Sequence, residues 1–160
     1  MSQPLNVRID ERLIHGQVAA LWTKALRINR IVVIDQEVVK NDMQKMLLKT
    51  ACPSGIKLSI ISPKRAADNF NEGKYNDETV MVIVKSPKTL ESIKEEGFVF
   101  EDVNVGNITN KPQSIQVTNQ IYVDQDIINT FNSLSKDTHF HVQLVPTDSK
   151  KDFMKLLGDL

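Results

Sequence analysis

The chain has 160 residues, of which 41% are hydrophobic and 25% charged, and its 20 basic residues are balanced by 20 acidic ones. That length supports one well-buried domain, residues 1–160, rather than two marginal ones, and the apolar fraction excludes a disordered chain. A neutral balance with no basic stripe argues against a nucleic-acid partner.

In chain order, Asn6-Val7-Arg8-Ile9-Asp10 alternates like a half-buried strand. Residues 16–26 then place Val18, Leu21, Trp22 and Leu26 at helical spacing. Residues 30–35 read as a buried strand, and 41–51 as a helix with Met43, Met46, Leu47 and Thr50 on one side. Pro53-Ser54-Gly55 ends that unit. A strand over 57–61 leads to a helix opened by Pro63 and closed by Gly73. A buried strand over 79–84 precedes a helix with Ser86 as cap and Pro87 at its first position, ended by Gly97.

Short strands follow around 103–105 and over 115–123. A helix spans about 124–134, a strand 139–145 and a last amphipathic helix 150–157. Strands alternating with helices predict an α/β domain with a mostly parallel central sheet and, by right-handed crossovers, helices on both faces. In such sheets sites form at the carboxyl ends of strands, which directs attention to the loops after Asp10, Asp35, Ile61, Val84 and Val105.

The single Cys52 allows no internal disulfide and fits a reducing compartment; it reads as a small buried hydrophobe. The start, Met1-Ser2-Gln3-Pro4-Leu5-Asn6, lacks a leader pattern, and the longest apolar runs are far too short to span a bilayer. A cytoplasmic protein without direct membrane insertion is therefore expected.

The richest loop is Arg8-Ile9-Asp10-Glu11-Arg12-Leu13-Ile14-His15-Gly16-Gln17-Val18. A neutral imidazole is a good nucleophile toward phosphorus near neutral pH. The forked guanidinium of Arg12 suits phosphate oxygens. Gly16 leaves room for close approach, and free amides at the following helix start favour an anion. Asp10 or Glu11 has the chemistry to orient His15 or to hold Arg12. The plainer reading of such a cluster is a set of surface ion pairs around a loop histidine. Neither G-x-x-x-x-G-K-[ST] nor G-x-G-x-x-G occurs, so no nucleotide site is visible and a phosphoryl group would come from a phosphorylated protein.

This segment closely resembles the active-site signature of IIB components of the mannose/fructose/sorbose class of the bacterial sugar phosphotransferase system. Further matches are Ile34-Asp35 with Asn41-Asp42, Ala51-Cys52-Pro53-Ser54-Gly55, Lys85-Ser86-Pro87, Asn104-Val105-Gly106 and Val145-Pro146, so the likeness runs along the whole chain. The chain departs from the pattern at Glu11, usually aspartate, and at Asn107, often a second glycine.

The resemblance implies that His15 is phosphorylated on Nδ1 by the phosphohistidine of a IIA component. The acceptor is a sugar presented by membrane IIC and IID components. It implies that Arg12 pairs with the phosphoryl group and that Asp10 lies in the same loop. Arg8, Gly16, Gln17, Asp35, Asn104 and Gly106 are expected near the phosphate. No metal or organic cofactor is implied, and the particular sugar is not readable.

Two alternatives stand beside it. Acids at strand ends (Asp10, Glu11, Asp35) with Lys85 superficially fit a receiver-like domain phosphorylated on aspartate, although such a domain has no use for a histidine flanked by arginines. A non-catalytic doubly wound binding domain would take up no phosphate. His139 and His141 share one face of a strand, but no third ligand is placed near them in sequence, so they read as ordinary strand positions. Asp35 fits equally a cap for the next helix and a place beside His15. Trp22 reads as core rather than as a sugar platform.

Overall fold

The computed structural model describes residues 5–160; the first four residues, and so most of the segment scanned for a leader, lie outside them. The first strand, β1 (Asn6–Asp10), is followed by α1 (Gly16–Ala25) and β2 (Arg30–Ile34). After a short 3-10 turn (Val38–Lys40) come α2 (Asp42–Ala51), β3 (Lys57–Ile61), α3 (Pro63–Asn71), β4 (Val80–Val84) and α4 (Pro87–Glu95). The second half holds β5 (Asp102–Asn107), β6 (Ile115–Thr118), β7 (Ile121–Val123), α5 (Gln125–Leu134), β8 (His139–Val142), β9 (Lys151–Asp152) and α6 (Phe153–Gly158).

Seven strands form one sheet in the order β3-β2-β4-β1-β5-β8-β9, parallel except where β9 runs against β8. Every residue of β4 is buried, as expected for a parallel strand covered on both sides. One face packs Val7, Ile9, Val82, Val84, Val103 and Val105 beneath Ala66, Leu90, Ile93, Phe131 and Leu157 of α3 to α6. The other packs Ile31, Val33, Met81 and Ile83 beneath Ala19 and Trp22 of α1 and Leu48 of α2. The α/β fold with helices on both faces is thus as the residue pattern predicts. No helix among the described residues is long and apolar enough to cross a membrane.

This topology positions the site. Strands β1 and β4 are parallel neighbours, yet α1 leaves β1 toward one face while α4 leaves β4 toward the other. Connections diverging from adjacent carboxyl ends open a crevice, the usual place for a ligand in such sheets. The loop carrying His15 leaves β1 at that crevice.

Four local expectations are corrected. Residues 115–123 are not one strand but the hairpin β6–β7, with Thr118 facing Ile121 across a turn at Asn119-Gln120. Strand β8 stops at Val142 rather than at 145, because the Asn104 side chain takes over the next ladder step: its Oδ1 accepts from the Gln143 amide and its Nδ2 donates to the Gln143 carbonyl, both at 2.9 Å. The last helix begins at Phe153, since 151–152 pair with β8 and Asp152 caps the turn that follows. In α2, Met43, Met46 and Leu47 do line one side, but that side faces solvent, and the helix is anchored instead by Leu48 and Ala51.

Candidate active site

Asp10, the last residue of β1, organises the loop. It is 1% exposed, and its Oδ1 accepts hydrogen bonds from the Arg12 amide (2.9 Å) and Arg12 Nε (3.0 Å). Its Oδ2 accepts from Arg12 Nη2 at 2.9 Å, completing a two-pronged pair. The hydrogen bonds it donates to Asp10 push the Arg12 guanidinium above its ordinary value, so its charge is permanent. Three of the five guanidinium protons remain for another anion.

The same turn holds Leu13 at φ 61°, a left-handed conformation uncommon for a non-glycine residue. It persists because the Leu13 amide donates to the Asp10 carbonyl at 2.9 Å while its side chain is buried under α1. Such enforced backbone strain clusters at functional loops. Here it carries the chain round to put His15 at the start of α1.

His15 is exposed and occupies the N-cap position of α1, with φ −102° and ψ 112°, and makes no capping hydrogen bond. Its carbonyl accepts from the Ala19 amide at 2.8 Å. The amides of Gly16, Gln17 and Val18 therefore have no side-chain cap, and no acidic residue sits in the first turn to quench the helix's positive end. A Cβ on Gly16 would meet nothing within 4 Å, so packing does not demand this glycine. Gln17 is likewise exposed in that turn.

Neither acid orients the imidazole. Asp10 is committed to Arg12, and Glu11 pairs with Thr109 and Lys111, pinning the loop to the segment after β5. The end of β5 adds the Asn107 carbonyl, which accepts from the Glu11 amide at 3.1 Å.

Arg8, expected near the phosphate, lies beneath the loop rather than in it. It is 3% exposed, its Nε stands 3.5 Å from Asp10 Oδ2, and its Nη1 donates to the Gln143 carbonyl at 3.4 Å. Burial pulls its guanidinium below the ordinary value, with Asp10 opposing the shift. Its cation also lies over the Trp22 ring, 5.9 Å from the centroid. Trp22 is core, as expected, with its Nε1 donating to the Leu144 carbonyl at 3.2 Å.

Gly106 belongs to this buried support. The β1–β5 register jumps from Ile9–Val105 to Asp10–Asn107, leaving Gly106 as a bulge against Arg8. A Cβ there would come within 2.6 Å of Arg8 Nε. Gly106→Ala is expected to cost about 1–3 kcal/mol in urea unfolding, because a buried guanidinium must move aside. Asn104, 6% exposed, holds Gln143 as described above, and Asp35 caps the 3-10 turn, its Oδ1 accepting from the Glu37 and Val38 amides at 2.9 Å each. Among the residues expected near the phosphate, Arg8, Asn104, Gly106 and Asp35 are thus supports, while Gly16 and Gln17 share the exposed rim with His15. Burial pushes the Cys52 thiol up, away from reactivity.

Residues 5–159 match the family described as "PTS system sorbose subfamily IIB component". The chain belongs to this family of phosphotransferase-system (PTS) components.

Among curated relatives, the chain is 30% identical over 154 residues to the sorbose-specific EIIB component of Lacticaseibacillus casei, covering 96% of this chain and 94% of that one. It is 31% identical over the same length to the fructose-specific EIIB component of Bacillus subtilis, with the same coverage. To the mannose-specific EIIAB component of Escherichia coli it is 34% identical, but it spans only 48% of that longer protein. The solved IIBSor domain of the Klebsiella pneumoniae sorbose permease has the same fold, with a TM-score of 0.89 at 26% identity over 98% of each chain. The chain is accordingly a sugar-specific IIB component of the sorbose/mannose class, and IIB components are phosphotransferases.

Proposed function

We propose that this PTS IIB component is a phosphocarrier in which His15 accepts a phosphoryl group from the phosphohistidine of a IIA component and passes it to a sugar. The sugar would be delivered by membrane IIC and IID components, with the carrier working on the cytoplasmic side. One observation carries this reading: the exposed His15 stands at the uncapped amino end of α1, three residues after an arginine fixed by a buried carboxylate.

In the first step the lone pair of His15 Nδ1 attacks phosphorus and a P–N bond forms. The P–N bond to the donor's imidazole breaks, and its electron pair returns to that ring. In the second step a sugar hydroxyl oxygen attacks phosphorus, and the P–N bond to His15 breaks with its electron pair returning to the imidazole. The hydroxyl proton passes to the released imidazole or to solvent as the O–P bond forms. Neither step asks the protein for more than in-line placement and stabilisation of equatorial charge. The free protons of Arg12 and the amides of residues 16–18 are suited to that charge. The names of similar proteins specify sorbose, fructose, mannose and N-acetylgalactosamine, so the acceptor class is a hexose or an amino sugar.

A receiver-like aspartyl phosphate has no support at this site. Asp10 is buried with both oxygens engaged, which leaves no accessible lone pair for attack.

Incubation with a phosphorylated IIA component is expected to add about 80 Da to the chain. An unchanged mass, under conditions that phosphorylate an established IIB, would overturn the proposal. Arg12→Lys is expected to slow transfer roughly 10- to 100-fold, since a point charge cannot both grip Asp10 in two places and hold phosphate oxygens. Rapid-quench transfer at the wild-type rate would remove Arg12 from the mechanism.

A further inference from the structure

The apolar cluster that α1 and α2 cover on one side of β1 includes no residue of β5 or β8 on the other. There, at the amino ends of β5 and β8, Asp102 pairs in register with His139, and His141 follows two residues along the same strand face. His139 Nδ1 lies 3.0 Å and His141 Nδ1 2.9 Å from one and the same oxygen, Asp102 Oδ1. The two rings are stacked, 6.3 Å between centroids and 20° apart in plane. One ligand atom from each of the three residues falls within 4.8 Å of the others.

We propose that Asp102, His139 and His141 form a binding site for a divalent transition-metal ion of the zinc type. Two imidazoles and one carboxylate are the donor set such ions take, whereas calcium and magnesium need more oxygens than this cleft supplies. With metal–ligand bonds of about 2.1 Å, tetrahedral ligands stand about 3.4 Å apart. The two observed donor separations are already within half an ångström of that, so small side-chain rotations admit the ion. On binding, each neutral imidazole presents its Nδ1 lone pair to the metal and keeps its proton on Nε2, and water fills the open position.

The three residues line a cleft of about 230 Å³ with Lys150, Lys151 and Asp152. The cleft is open: His139 is 62% exposed, so an ion has free access. Asp152 stands opposite His141 on β9 and adds a second negative charge. The two lysines weaken attraction for a cation, so affinity on the order of micromolar rather than nanomolar is expected. The plainer role for the trio is a surface His–Asp hydrogen-bond pair, which binds no ion. The site lies at the opposite end of β5 from the His15 loop, a strand length of roughly 16 Å. Metal binding and phosphate uptake are therefore separable.

The test is calorimetric titration of zinc chloride into the chelator-stripped protein, paired with thermal melts. One zinc per chain and a raised melting temperature are expected. His139→Gln, at an exposed position that the fold does not need, should weaken binding at least about tenfold, and His141→Gln likewise. His15→Gln should bind zinc as the wild type does. No saturable binding below about 1 mM zinc, binding unaffected by His139→Gln, or binding lost in His15→Gln would each overturn the proposal.

Discussion

His15→Ala is expected to abolish phosphate uptake from a phosphorylated IIA component, by a factor of at least about 10³, while leaving the fold intact. The loss should be nearly complete because the alanine has no lone pair to form the P–N bond, and no other histidine lies in this loop. Stability should be nearly unchanged, within about 0.5 kcal/mol, because the exposed imidazole caps nothing and packs against no core. Intact-mass measurement after incubation, with a thermal melt on the same sample, reads both quantities. A variant that still gains a phosphoryl group would mean that another side chain is the acceptor.

Asp10→Ala should damage stability and transfer together. In the wild type one buried carboxylate neutralises Arg8 below it, fixes Arg12 above it and receives the Arg12 amide in the strained turn. Removing it leaves Arg8 buried without its counter-charge. Breaking such a pair from one side costs about 3–5 kcal/mol, far more than the net worth of the intact pair. For a domain of this size that corresponds to a fall in melting temperature of roughly 10 °C. Transfer should slow as well, because Arg12 loses both of its anchors and the Leu13 turn loses one of the bonds that hold it. Asp10→Asn keeps an oxygen for the Arg12 amide but not the charge, so it should fall between the two. Wild-type melting in Asp10→Ala would show that the arginines find other partners and that Asp10 is not the organiser.

Most of the element order was legible because the local signals agreed with the tertiary demands. Ser86-Pro87 starts α4 with the expected cap, and Asn41 caps α2 by accepting from the Gln44 amide. The failures have particular physical causes. The β6–β7 turn uses Asn119-Gln120, which lacks the glycine that marks a tight hairpin, so an unbroken strand was the natural expectation. The end of β8 depends on the side chain of Asn104, 39 residues earlier, and no local pattern announces that. The apolar side of α2 met the helical period yet faces outward, because spacing tells which residues share a face but not what covers it.

The site divides in the same way. The motif around His15 drew attention to the loop after β1, but its spacing left open whether Asp10 or Glu11 holds Arg12, and the structure gives that place to Asp10. The burial of Arg8 was not readable, since it depends on Gly106 and Gln143 from distant segments. For the same reason the third member of the histidine cluster was missed. Asp102 reaches His139 and His141 only through the parallel pairing of β5 with β8.

The most direct measurement is tandem mass spectrometry, under alkaline conditions that preserve phosphoramidates, on the chain after transfer from a phosphorylated IIA component. The account predicts the added phosphoryl group on the peptide containing His15, and on that residue alone among His15, His139 and His141. A phosphoryl group on either histidine of β8, or a mass gain at neutral pH that alkali or hydroxylamine removes, as from an aspartyl phosphate, would contradict it.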